Sequence, residues 1–283
     1  MAENAILYDS SKCSACKGCQ VQCKQWNNMP SSLGKDENEY TGSYQSMSDL
    51  NGDTRLLIQF DEKDTDRGIE WAFGRRACFH CTDAACATVC PAGAITKLDD
   101  GTVKLDASKC IGCKYCTAAC PFEVPKFRQS VGVTNKCTLC DDRTAMGREP
   151  ACVQTCPAAA LSYGPREDMV AAGKARIEEL KTAGFDKAEL YGADEMGGMH
   201  VLQVAKYGLE AHGYLRDPKP GAAIKLFEVL RPLTAVGVAG MAGILGISFL
   251  SSIGYKRDDS ASTPVPDTTK RDDVVAFSTK EDN

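Results

Sequence analysis

Residues 110–121 read CIGCKYCTAACP, and the spacing C-x-x-C-x-x-C-x-x-x-C-P is the one with which a polypeptide wraps a cubane 4Fe-4S cluster. Working outward, the signature recurs. Cys13, Cys16, Cys19 and Cys23 repeat it, with Lys24 in place of the closing proline. Cys78, Cys81, Cys86 and Cys90 stretch the middle gap to four residues, and Cys137, Cys140, Cys152 and Cys156 stretch it to eleven. Both variants still end on C-x-x-x-C-P, through Pro91 and Pro157. All 16 cysteines of the 283-residue chain are used. A proline after the fourth cysteine removes a backbone donor and fixes φ, so the chain turns sharply off the metal there.

Two other uses of cysteine fit less well. A disulfide framework suits a small secreted chain that cannot bury a core, whereas this one is 43% hydrophobic. A structural zinc site takes two C-x-x-C pairs per ion and has no need of a third close cysteine or a trailing proline. In a double-cluster unit, three thiolates of one motif reach one cube and the fourth points to a second. Motifs therefore come in pairs. The second and third are separated by a hairpin pattern, Ala94 to Leu98, the turn Asp99-Asp100-Gly101, and Thr102 to Leu105. They pair with each other. Cys78, Cys81, Cys86 and Cys120 then hold one cube, and Cys110, Cys113, Cys116 and Cys90 the next. By elimination Cys13, Cys16, Cys19 and Cys156 hold a third, and Cys137, Cys140, Cys152 and Cys23 a fourth. The expected cofactors are four 4Fe-4S clusters.

The expected fold class is α+β: two ferredoxin-like double-cluster units forming one domain, then a helical connector and a single C-terminal transmembrane helix. Residues 1–163 make the cluster domain, with strands at Ala5–Tyr8, Thr54–Phe60 and Ile69–Phe73 and a polar loop from Trp26 to Gly52. Residues 164–231 form the connector, including an amphipathic helix over Arg166–Gly184 that presents Met169, Val170, Ile177 and Leu180 on one face. An apolar segment, His200–Leu209, follows it. Residues 232–255 hold no charge, which is length enough to cross a bilayer, and Ala235, Ala239, Gly243, Gly240 and Gly246 offer a small-residue stripe for a neighbouring helix. Residues 256–283 read as a disordered tail rich in Ser, Thr, Asp and Pro.

Lys219, Lys225 and Arg231 before the span balance Lys256, Arg257 and Lys270 after it, so charge does not set its orientation. The N-terminus lacks a basic region followed by an apolar stretch, so export of the cluster domain requires a partner's signal. No Gly-rich dinucleotide loop, P-loop or H-E-x-x-H is present, and the net charge of −5 gives no sign of nucleic-acid binding. No residue is expected to be catalytic. His80 lies inside the second motif and is a candidate for tuning that cluster, while His200 and His212 read as structural. Of the cations near the motifs (Lys12, Lys17, Lys24, Arg75, Arg76, Lys109, Lys114 and Lys136), Lys114, between Cys113 and Cys116, is the best placed to raise a potential.

The order of the motifs, with CKQWN closing the first, CFHCTDAACATVCP as the second and CIGCKYCTAACPF as the third, resembles the iron-sulfur subunits of molybdopterin oxidoreductases. Downstream, REDMVAAGKARIEELKTAGFDKAELYG, GGMHVLQVAKYGL and LRPLTAVGVAGMAG resemble the beta subunits of membrane-bound respiratory formate dehydrogenases. The resemblance runs from about Ile6 to Tyr255 and supports the same cysteine pairing. It implies an electron-transfer role in anaerobic respiration, between a catalytic subunit with a molybdenum or tungsten pterin and a membrane cytochrome b that reduces quinone. It also implies a single-pass protein of the cell membrane with a periplasmic cluster domain. Two alternatives share the cysteines: the same wire in another molybdopterin or hydrogenase-type complex, and a zinc-stapled, membrane-tethered interaction module.

Overall fold

The sequence NAILYD forms β1 (Asn4–Asp9), a strand whose side chains are buried on both faces. In this computed structural model, which describes residues 3–30, 44–66 and 68–253, the first cysteine motif follows β1 and runs into α1 (Gly18–Trp26). A hairpin of β2 (Leu56–Thr65) and β3 (Gly68–Ala77) leads to the second motif and α2 (Ala85–Thr88). The short hairpin β4 (Ile95–Lys97) and β5 (Val103–Leu105) precedes the third motif and α3 (Tyr115–Ala119). Another, β6 (Lys126–Arg128) with β7 (Val133–Asn135), precedes the fourth, which carries α4 (Asp141–Thr144) and α5 (Ala151–Gln154). The chain continues through β8 (Leu161–Pro165), α6 (Arg166–Thr182), β9 (Glu189–Tyr191), β10 (Val201–Ala205) and α7 (Ala222–Ser252). It divides into two units, residues 1–230 and 231–283, and the fold is mixed α+β.

One four-stranded sheet, in the order β8-β1-β10-β9, organises the first unit. β1 pairs antiparallel with β8, Tyr8 opposite Leu161, and parallel with β10, Ile6 opposite Val201. Side chains alternate across a strand, and the sheet sorts them accordingly. Leu7, Leu202 and Val204 face α6 and pack on Ile177 and Leu180. Ile6, Tyr8, Val201 and Ala205 face the other way, into a core that includes Cys23, Cys78 and Cys152. The cysteines are thus part of the hydrophobic core.

The helix at Arg166–Thr182 bears out its sequence pattern: Met169 and Val170 join Ile177 and Leu180 against the sheet. Glu167 and Asp168 sit in its first turn and Lys181 in its last, each on the side the helix dipole favours. Gly184, at φ +85°, ends it, with Phe185 N–H donating to Leu180 O. Gly173 lets the helix approach closely, since a Cβ there would lie 2.7 Å from Leu190 Cδ1. The stretch 164–231 also contributes β9 and β10, and β10 sits in the centre of the sheet. Every side chain of β10 is buried, so its sequence lacks the alternation that marks a strand.

The β2–β3 hairpin is longer than its apolar residues suggest, pairing from Leu56 opposite Ala77 to Thr65 opposite Gly68. Its outer half is charged, and Lys63 pairs with Asp61 at 2.7 Å. The β4–β5 hairpin falls where expected, turning at Gly101, φ +87°. In the polar loop 26–52, Met29 and Leu50 are buried in the core, and residues 31–43 lie outside the described residues.

In the second unit α7 continues to Ser252, and Met241, Ile244, Leu245, Ile247, Phe249 and Leu250 are exposed along it. Among the described residues no helix is long and apolar enough to cross a membrane. The continuous run of α7 whose side chains are described covers only 239–253. The expected tail, 256–283, lies outside the described residues.

Candidate metal centres

Each cysteine motif adopts a backbone that few sequences advertise. Ala15, His80, Gly112 and Leu139, each two residues after the first cysteine of its motif, all have positive φ, between 50° and 71°. Left-handed backbone costs an L-residue about 1–2 kcal/mol, and here it is spent in one recurring place. The bend turns backbone N–H groups onto sulfur: Ala15 N–H reaches Cys13 Sγ at 3.3 Å and Leu139 N–H reaches Cys137 Sγ at 3.4 Å. His80 N–H bonds Cys78 in the same way. Beyond the fourth cysteine the pattern repeats. Ala94 N–H lies 3.2 Å from Cys90 Sγ and Ala160 N–H 3.3 Å from Cys156 Sγ. Donors of this kind stabilise a thiolate.

Lys17, Lys114 and Cys140, also left-handed, start α1, α3 and α4 directly from the loops. α1 and α3 carry the next cysteine, Cys19 and Cys116, and after α4 the next, Cys152, lies in α5.

The motifs bring the sixteen sulfurs together in four groups. Cys13, Cys16, Cys19 and Cys156 line one cavity. Cys78, Cys81, Cys86 and Cys120 line another, and Cys90, Cys110, Cys113 and Cys116 a third. Cys23, buried, has Cys137, Cys152 and Cys140 as the thiols whose charge it feels. These four groups are the Cys13, Cys78, Cys90 and Cys23 sets. The exchange of fourth cysteines has a structural cause. Pairing of β1 with β8 carries Cys156 back beside Cys13, and the β4–β5 hairpin folds the third motif onto the second, α2 packing on α3.

Neighbouring sets lie within electrostatic reach of one another in sequence. Cys19 senses the charge of Cys152, Cys78 that of Cys137, and Cys86 that of Cys116. The order is therefore Cys13, Cys23, Cys78, Cys90. Cys16 and Cys113, in the two outer sets, are exposed, whereas Cys23 and Cys78 are buried.

All sixteen cysteines are free thiols, so the chain has no disulfide. Burial pushes Cys19, Cys86 and Cys140 up to about 12 and Cys120 up to about 11. Such thiols are poor nucleophiles on their own, and a coordinating metal deprotonates them outright. Among the described residues no three His, Cys, Asp or Glu converge closely enough to hold a single ion. Four sulfurs around an apolar cavity, with backbone donors aimed at them, match a larger body ligated at its corners. The donor sets fit a 4Fe-4S cube and do not fit one tetrahedral zinc.

The cations are arranged differently from the sequence expectation. Lys114 is exposed and its Nζ sits 4.3 Å from the centre of the Phe127 ring. Arg75 and Lys136 are fully buried instead. His80 is also buried, its Nδ1 accepting from Val103 N–H at 3.0 Å. Burial, with Lys136, His200 and Arg75 nearby, holds its pKa well below the usual histidine range. His200, the neighbour of His80 through a 2.8 Å contact of Nδ1 with His80 O, and His212 are both buried in the packing.

Residues 69–166 match the model of the 4Fe-4S dicluster domain. The nitrate-inducible formate dehydrogenase iron-sulfur subunit of Escherichia coli (strain K12) is 37% identical over 250 residues, covering 86% of this chain and 84% of that protein. The formate dehydrogenase-O iron-sulfur subunit of the same organism is 38% identical, covering 84% and 79%. The formate dehydrogenase iron-sulfur subunit of Haemophilus influenzae is 37% identical, covering 85% and 78%. With thiol sets shaped for iron-sulfur clusters and relatives matched along most of both chains, the protein belongs to the family of formate dehydrogenase iron-sulfur subunits.

Proposed function

We propose that this chain is the electron-transfer subunit of a formate dehydrogenase, holding four 4Fe-4S clusters, one in each thiol set. The observation that carries the proposal is the unbroken order of the sets, each adjacent to the next, with exposed cysteines only in the outer two. Clusters bound there supply one-electron carriers, and the protein's part is to hold, space and insulate them. Tyr8, Leu161, Phe79 and Phe122 exclude water around the sets. The backbone N–H groups and the positive-φ bends fix the sulfurs.

One outer set faces a catalytic partner that carries a molybdenum or tungsten pterin and oxidises formate. The other faces a membrane cytochrome b. α7 is the membrane anchor: an uncharged sequence from 232 to 255, large apolar side chains exposed along it, and open space beside Gly240, Gly243 and Gly246 for a partner helix. The protein then resides in the cell membrane as a single-pass subunit with its thiol-bearing unit in the periplasm, a placement that rests on the resemblance alone.

The test is anaerobic extraction of the native complex in mild detergent, assayed for formate-dependent dye reduction and for iron, sulfide, molybdenum, tungsten and haem. About sixteen irons per chain with formate activity supports the proposal. The same iron without formate activity moves the substrate to another oxidoreductase, and zinc in place of iron ends the electron-transfer reading.

A further inference from the structure

Of the buried cations, Arg143 is held by Glu149 O and Gln154 Oε1, and two others lie against the thiol sets. Arg75, near the end of β3, and Lys136, just after β7, are each 1% exposed. An ion taken out of water costs several kcal/mol unless something nearby compensates it. For Lys136 the compensation is sulfur and carbonyl oxygen, and for Arg75 it is sulfur alone among the described residues. Arg75 Nη2 lies 4.0 Å from Cys152 Sγ, and its Nε and Nη1 are buried with no hydrogen-bond partner among the described residues. Lys136 Nζ lies 3.8 Å from Cys78 Sγ and donates to Val103 O and Cys137 O.

Their positions relative to the sets are specific. Arg75 reaches Cys152 of the Cys23 set. Lys136 stands between two sets, its ammonium beside Cys78 Sγ and bonded to the backbone carbonyl of Cys137 in the Cys23 set. Among the described residues the side-chain contacts of Arg75 and Lys136 reach no cysteine of the Cys90 set.

We propose that Arg75, against the Cys23 set, and Lys136, at the Cys23–Cys78 junction, are fixed counter-charges that raise the midpoint potentials of the clusters they adjoin and leave the Cys90 set without either. The proposal rests on the four-cluster reading. A reduced cluster carries one more negative charge than an oxidised one, so a buried cation stabilises the reduced form, as do hydrogen bonds to its sulfurs. Guanidinium does not deprotonate in proteins, so Arg75 is a permanent charge. The unpartnered Nε and Nη1 are the donors free to reach cluster sulfur.

The experiment is an EPR-monitored redox titration of the detergent-extracted complex with Arg75→Met, Arg75→Lys and Lys136→Met, each with its iron and sulfide counted. Arg75→Met should change the reduced-to-oxidised ratio of the cluster in the Cys23 set about tenfold toward oxidised at a fixed ambient potential, which is about 59 mV for a one-electron couple. Lys136→Met should do the same at the Cys23 and Cys78 sets. The Cys90 signal should stay in place in both. Full iron content with unmoved midpoints overturns the proposal, as does an equal movement of the Cys90 signal. If the Met variants lose iron, Arg75→Lys decides: midpoints within threefold of wild type support a charge effect, and a tenfold fall refutes it. Wild-type complex with fewer than about sixteen irons instead overturns the four-cluster reading.

Discussion

Two glycines of the same thiol set separate backbone strain from steric contact. Gly93 follows Cys90 at φ +60°, and Gly112 lies between Cys110 and Cys113 at φ +71°. Alanine at either position meets the left-handed penalty of about 1–2 kcal/mol. At Gly93 nothing lies within 4 Å of the new Cβ, whereas at Gly112 it would stand 2.6 Å from Gly132 O and 3.2 Å from Phe127 Cε2. The first contact is with backbone, which cannot rotate away, and overpacking of that kind costs about 1–3 kcal/mol more. Gly93→Ala should therefore cost about 1 kcal/mol and Gly112→Ala about 2–5 kcal/mol. The assay is urea-induced loss of the cluster visible absorption in the anaerobic complex, with iron content measured beforehand. Since about 1.4 kcal/mol is tenfold in an equilibrium, Gly93→Ala should open the Cys90 set about fivefold more readily than wild type and Gly112→Ala at least about thirtyfold. Equal losses in the two variants would refute the steric part of the argument, and a harmless Gly112→Ala would refute both parts.

Lys114→Met should leave the cluster midpoints within about twofold in reduced-to-oxidised ratio, because an exposed charge is screened by water and salt; a tenfold change in a redox titration would restore Lys114 as a tuning residue. His212 is driven by burial down to about 4, against a partial opposing effect of its bond to Phe73 O. Its folded pKa lies below the unfolded value of about 6.5, so its contribution is whole above that pH and is lost as pH falls toward 4, by up to about 3 kcal/mol. Thermal loss of cluster absorption should steepen for the wild type between about pH 6.5 and 4.5 and be flatter for His212→Gln; parallel curves would sink the assignment. Removal of iron should release the short helices first, since α2, α4 and α5 have four residues each, far below the ~12–15 at which an isolated helix holds. Hydrogen exchange should show their protection lost and that of α6 kept, and equal protection in both would show that the clusters do not hold the loops.

The grouping of cysteines was legible because each motif is local, and the hairpin pattern at 94–105 shows which motif folds onto which. The left-handed bends were hidden. Ala15 and Leu139 are not residues that announce positive φ, and His80 does so only weakly, so their constant offset from the first cysteine is what marks them. β10 was hidden for a different reason, being buried on both faces with no alternation. Long-range packing also separated Lys114 from Arg75 and Lys136, which look alike in sequence. Arg75 becomes a buried cation because β3 runs into the core directly ahead of Cys78 and Tyr214 closes over it, its hydroxyl accepting from Arg75 N–H at 3.1 Å.

The nesting of the motifs explains why one small sheet matters to an electron path. The second and third motifs meet through a hairpin a few residues long, but the first and fourth are more than a hundred residues apart in sequence, and nothing local can join them. β1 precedes the first motif and β8 follows the fourth, so their antiparallel pairing closes the outer loop, and β10 on the far side of β1 fixes that strand in the interior. The inner pair is thus nested within the outer along the chain, while its Cys90 set stays at an exposed end of the row. Cys23 and Cys137, from opposite ends of the nest, join in one set, and Lys136 links Cys137 O to Cys78 Sγ of the inner pair. A linear order of four sets follows from two nested exchanges and one contact between them. Because the Cys23–Cys78 junction is that single contact, it is also where the fold places Lys136, bonded to both sides: the charge stands at the one step of the path that neither exchange of cysteines secures.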